Sequence, residues 1–208
     1  MSEYRIRQAR ADDAEDMARI WVSGQELMGI PVKQADYAAV FRDKVDHQDD
    51  IFQVWCAEFP DGRVIGWQSI SPYINHPYLK PYFGESSTYV CASTRARGLG
   101  RALLVYALEH AAQTPIRYVT ANVLANNERI MKICDDLGFV RVGFFPPPIK
   151  EAVIPELLFI VYPVPQAGMA VGKRTDALVD VPVLRTGGAL ADQPAPVPSV
   201  AIPQKQAA

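Results

Sequence analysis

The run Glu85-Ser86-Ser87-Thr88-Tyr89-Val90-Cys91 reads as a strand, and it leads into Arg95-Ala96-Arg97-Gly98-Leu99-Gly100-Arg101-Ala102-Leu103-Leu104. A strand that empties through a glycine-bearing turn into a helix leaves several backbone N–H groups unpaired at the helix start. Those groups make a cradle for a phosphate or diphosphate. Arg95, Arg97 and Arg101 flank the turn with guanidinium forks suited to phosphate oxygens. Gly98 and Gly100 remove the Cβ atoms that would hold a bulky anion off the backbone.

Two well-known phosphate motifs are excluded. A dinucleotide fingerprint needs a third glycine where Leu103 stands, and a P-loop needs a Gly-Lys-Ser/Thr ending that is absent. The pattern Arg-x-x-Gly-x-Gly at 95–100 instead resembles the coenzyme A pyrophosphate loop of the GNAT superfamily of N-acetyltransferases. A second segment resembles the same family: Asn127 opens a stretch that closes on Leu137-Gly138-Phe139. Its Ile130, Ile133, Cys134 and Leu137 fall at helical spacing, with Gly138 placed as a C-cap. Within the superfamily, the strand Glu85-Ser-Ser-Thr-Tyr-Val90 resembles that of the phosphinothricin acetyltransferase type.

The resemblance implies an α/β (α+β) three-layer sandwich, with a mixed, mostly antiparallel seven-stranded sheet and about four helices. It implies acetyl-CoA as co-substrate, no metal, and transfer of an acetyl or similar acyl group to the primary amine of a small molecule by direct attack. By analogy the acceptor is an amino acid or an amino-acid-like antimetabolite. The diphosphate would lie on Arg95, Arg97, Gly98, Leu99, Gly100 and Arg101, and the pantetheine arm along the backbone at Val90 and Cys91. Asn127 matches a residue that touches the arm; as a helix N-cap it can serve both roles. Glu85 matches the base that takes the proton from the amine. Many relatives carry a tyrosine seven residues after the asparagine, where it protonates the leaving thiolate. Here Cys134 stands in its place, either as a buried helix residue, a general acid or an acylated nucleophile. The alternative function is a catalytically degenerate acyl-CoA-binding sensor or scaffold.

Patterning around these motifs is consistent with that architecture. Tyr4–Ala9 alternates as a strand, and acids at 12–16 load the start of a helix reaching Met28. A second helix is expected over Ala35–His47, then strands at Ile51–Glu58 and Val64–Ser71 around the turn Pro60-Asp61-Gly62. Further strands are expected at Arg117–Leu124, Phe139–Phe145 and Leu157–Val161, with helices from Gly98 to Ala112 and from Asn127. Between strands, residues 71–84 pack three prolines among aromatics, a composition suited to a pocket wall or a homodimer contact. Tyr73 and Tyr82 are the candidate acceptor-binding residues, with His76 a second base, Lys80 a partner for an acceptor carboxylate, and Trp21, Gln25 and Met28 along the same cleft.

Composition bounds the rest. The chain has 208 residues, 49% of them hydrophobic, and a net charge of −2, so bulk electrostatics give no sign of a nucleic-acid partner. Its three cysteines have no metal-ligand spacing and suit a reducing cytoplasm. The charged, alternating N-terminus lacks the apolar middle of a secretory signal, and no apolar run nears the ~20 residues that span a bilayer. Residues 1–162 form the expected catalytic domain. Residues 163–208, rich in Pro, Ala and Val and without an aromatic, read as a tail that is flexible or docked on a neighbour.

Overall fold

The structure is a computed structural model that describes residues 4–94, 96–147 and 155–165. The chain divides into two units, Met1–Ala170 and Val171–Ala208, and every described residue lies in the first. The tail, apart from its first three residues, therefore lies outside the described residues. So does Arg95.

Seven strands and four α-helices alternate in the first unit. They are β1 (Arg5–Gln8), α1 (Ala14–Leu27), α2 (Tyr37–Asp46), β2 (Val54–Glu58), β3 (Val64–Pro72), β4 (Phe83–Val90), α3 (Leu99–Ala111), β5 (Tyr118–Leu124), α4 (Glu128–Leu137), β6 (Val140–Phe145) and β7 (Leu157–Pro163). They form one mixed sheet in the order β1-β2-β3-β4-β5-β7-β6, in which only the β4–β5 pair is parallel.

Helices cover both faces of the central strands, which is why all five residues of β2 are buried. Val54 and Cys56 pack with Met17, Ile20, Phe41 and Trp67 under α1 and α2. Trp55 turns the other way, into a core with Leu104, Leu108, Met131 and Ile160 under α3 and α4. Hydrophobic periods of two along the strands and 3.6 along the helices thus meet in two cores, one on each side of the sheet.

The termini of elements differ from the sequence reading where side chains intervene. Asp49 Oδ1 accepts from the N–H groups of Ile51 (2.8 Å) and Phe52 (2.6 Å), so the chain turns there and β2 starts only at Val54. Residues 11–13 form a separate 3₁₀ turn before α1. Its Asp13 carboxylate bonds the Arg10 N–H (2.7 Å) and the Arg7 guanidinium (2.7 and 2.8 Å). At the other end β7 runs to Pro163, and Val164 is buried in the core under α3 and α4.

Candidate active site

The site begins where the parallel pair comes apart. β4 and β5 pair at Phe83↔Tyr118, Gly84↔Val119 and Glu85↔Thr120, and the pairing stops there although both strands continue. Antiparallel pairing of β4 with β3 persists to Val90. Because the Cys91 N–H donates to the Ile65 carbonyl (2.9 Å), Val90↔Gly66 is a non-hydrogen-bonded pair. The main-chain N–H and C=O of Thr88 and Val90 therefore point away from β3, into the gap left by β5. Cys91, expected to offer its backbone, instead gives its N–H to Ile65, and its carbonyl accepts from the Thr94 N–H (3.0 Å). The open donors are one position earlier.

The gap is a cleft of about 290 Å³ between β4, β5 and α4, with Gln25 and Met28 of α1 on its rim as expected. It adjoins a second groove of about 270 Å³ lined by Val90, Cys91, Gly98, Gly100 and Arg101. Thr88, Asn127 and Ile130 border both, so the two form one channel from the sheet to the start of α3. Asn127 caps α4, its Oδ1 accepting from the Ile130 N–H (3.3 Å), and still faces both spaces.

At the channel's outer end lies the turn at 96–101 that the sequence offers as an anion cradle. Gly98 adopts φ 84°, a left-handed conformation that favours glycine, and a Cβ there would meet nothing within 4 Å. The first N–H groups of α3, those of Gly100 and Arg101, have no carbonyl four residues back inside the helix to bond. Arg97 and Arg101 are exposed, and neither forms an ion pair among the described residues. Leu99 contributes backbone only, since its side chain is buried against Ala57, Ile65 and Leu103.

Glu85 lies next to the inner cleft, beside its wall residue Asn122. Its half-buried carboxylate faces Asn122, whose Nδ2 donates to Oε1 at 3.4 Å, and Ser71 stands opposite it on β3. Lys44 of α2 reaches the same patch, its Nζ donating to Ser71 Oγ at 2.7 Å. Tyr73, 40% exposed, stacks on Phe159 (5.8 Å), which pairs with Asn122, so it borders this face. Tyr82 immediately precedes β4, its ring against the Arg117 guanidinium (6.0 Å). Lys80 does not reach the patch; its ammonium lies over Phe52, a residue of the α3 and α4 core. Trp21 packs on Tyr37 (4.7 Å) instead of lining the cleft, and His76 is exposed, its Nδ1 accepting from the Tyr78 N–H (3.3 Å).

Two cysteines border the channel, their thiols shifted in opposite directions. Burial pushes the Cys134 thiol up to about 11, the Asp135 charge adding to it, and the side chain is 2% exposed in the cleft wall. Burial also raises Cys91, but hydrogen bonds from Ser93, Thr94 and Arg19 outweigh it and hold that thiol below its ordinary value.

Two glutamines brace the strand that borders the cleft. Gln68, 0% exposed on β3, donates to Ser86 Oγ (2.8 Å) and accepts from the Thr88 hydroxyl, pinning the side chains of the open stretch. Gln25 Nε2 donates to the Tyr89 hydroxyl (3.1 Å) and ties α1 to the far side of β4.

Residues 4–140 match the model of the acetyltransferase (GNAT) domain. The chain belongs to the GNAT acetyltransferase family. Over 94 residues it is 32% identical to YwnH of Bacillus subtilis (strain 168), which carries a provisional name as a phosphinothricin acetyltransferase; the match covers 45% of this chain and 56% of that protein. The chain thus spans little more than half the length of that curated relative. A GNAT phosphinothricin acetyltransferase from Sinorhizobium meliloti, solved in complex with acetyl-CoA, superposes with a TM-score of 0.65 at 20% identity, covering 86% of this chain and 97% of that one. A ribosomal-protein-alanine N-acetyltransferase from Brucella melitensis superposes with 0.67 at 24% identity, covering 76% and 99%. At these identities the two structures establish that the fold is shared. Their names cite different acceptors, so the GNAT fold leaves the acceptor to the local site.

Proposed function

We propose that this GNAT protein moves an acetyl group from acetyl-CoA to the primary amine of a small molecule, an amino acid or amino-acid-like compound, with Glu85 as the base. The observation that carries the reading is the parting of β4 and β5 at Glu85. It opens a channel that runs from the turn at the start of α3 to Asn122, the wall residue whose amide contacts the Glu85 carboxylate.

The residues present fit acetyl-CoA. Gly100 and Arg101 N–H groups, with the Arg97 and Arg101 guanidiniums, hold the diphosphate, and Arg95 joins them by the motif. The open N–H and C=O groups of Thr88 and Val90 hold an extended arm as an added strand would be held. Asn127 contacts that arm from the start of α4. Acetyl-CoA supplies the acyl group as a thioester. An acceptor amine is protonated in water, so Glu85, in contact with the wall residue Asn122, removes a proton directly or through a water. Cys134 walls the cleft. A thiol with a pKa near 11 stays protonated at neutral pH, which favours a wall or a proton donor over a nucleophile.

A free-thiol release assay with acetyl-CoA and a panel of amines tests this. Release that requires an amine and falls at least a hundredfold in Glu85→Gln is the expected result. Tight binding of acetyl-CoA without turnover on any amine would support the sensor alternative.

A further inference from the structure

Lys44 is a half-buried cation beside the proposed base, and nothing in the transfer step above uses it. Phe41 and Val45, buried in the core, fix its helix against the sheet. One of the three ammonium donors is spent on Ser71 Oγ at 2.7 Å, and no carboxylate pairs with the group among the described residues. Burial lowers its pKa, and the Glu85 charge acts in the opposite sense, which places the two groups within electrostatic reach of each other. Partly buried charges are ordinarily matched by a counter-charge, so a missing partner marks a place for one.

The surroundings are polar in the same sense. Ser71 stands directly across from Glu85 in the β3–β4 register, so the ammonium, reaching Ser71 from α2, and the carboxylate on β4 approach one patch. Two residues back on the same face of β3 lies Ser69, 0% exposed, whose Oγ has no hydrogen-bond partner among the described residues. A buried unpaired hydroxyl is uncommon enough to require an explanation, and a polar ligand atom or a bridging water supplies one.

We propose that Lys44 selects an acceptor bearing an anionic group a few bonds from its amine, the anion meeting the ammonium and Ser71 while the amine lies at Glu85. This rests on the acetyl-transfer reading and adds the residue that chooses among amines. Lys80, the lysine the sequence offered for that task, is turned to the other side of the sheet.

The test compares kcat/KM of the full chain for a set of L-amino acids and for their carboxamides, which keep the amine and side chain and lose the negative charge. Wild type favours the acids. Lys44→Met lowers kcat/KM on the acids roughly ten- to hundredfold, mainly through KM, and lowers it far less on the carboxamides, so the preference ratio collapses. Lys44→Arg keeps the preference. Equal losses on both sets, or a wild type that favours carboxamides, overturns the assignment while leaving acetyl transfer standing. Should Lys44→Met fail to fold, the wild-type ratio and Lys44→Arg decide alone. A wild type inert on both sets overturns the acetyl-transfer reading itself, and the assignment with it.

Discussion

Two groups of charged side chains divide the molecule. At the β1–β2 edge, Arg7 is held by both Asp13 and Glu58, and Arg5 also pairs with Glu58, so every charge in the cluster has a partner. Along the channel, Arg97, Arg101 and Lys44 have no ion-pair partner among the described residues, and Glu85 has only a 3.4 Å contact with an amide. The first arrangement is closed and contributes to stability, since removing one partner strands a buried charge. The second leaves its charges for molecules that arrive from solution. Both use similar residue types; what differs is whether the fold supplies the counter-charge.

The sharpest way to break this contrast is at Glu85. Replacement by glutamine keeps the shape and removes the proton acceptor, and kcat is expected to fall by roughly 10²–10⁴ with thermal stability unchanged; loss of stability with retained kcat would place Glu85 in the closed class. Next is Arg7→Met, the converse case. It leaves Asp13 and part of Glu58 unpaired and is expected to cost about 3–5 kcal/mol by denaturant titration, with acetyl-CoA affinity of the folded fraction unaltered. Third, Arg97→Ala with Arg101→Ala should weaken acetyl-CoA binding by roughly tenfold per arginine in calorimetry, an effect that shrinks with added salt.

The closed cluster also carries a pH signature. Bonds to Arg7 hold Glu58 below the usual carboxylate range. Burial alone would raise Asp13, but Arg7 and the Arg10 N–H outweigh it and lower it too. Groups depressed in the folded state contribute stability that is fully present above their unfolded values, near 4, and is lost as pH falls through the folded ones. Tm should therefore drop on acidification below about pH 4, and less steeply in Arg7→Met. The smallest effect is expected at Cys134: alanine there should change kcat by no more than about threefold, whereas a hundredfold loss would make the thiol the proton donor.

Most of the fold was legible because it rests on local signals. Gly98 and Gly138 both take left-handed φ values at helix ends, and Asn127 caps α4. The hairpin turn at Pro60-Asp61-Gly62 closes with Gly62 at φ 85°. The turn proposed to hold the diphosphate was legible for the same reason, since a helix start is made by consecutive residues. What escaped depends on register between distant segments. Whether Thr88 or Cys91 offers its N–H is decided by the pairing of β4 with β3, and no local pattern encodes that parity. Lys44, Ser71 and Asn122 meet around Glu85 from α2, β3 and β5, each an ordinary polar residue in its own segment. Asp49 delayed the start of a predicted strand through two side-chain bonds that hydropathy does not register.

The central claim is that the parted strands and the start of α3 together hold acetyl-CoA. Residue-resolved amide hydrogen exchange on the full chain, with and without acetyl-CoA, tests it most directly. The account predicts added protection at Thr88, Val90, Gly100 and Arg101, with Cys91, already bonded to Ile65, little changed. Protection absent from those four amides at saturating acetyl-CoA, or confined to another part of the sheet, would contradict it.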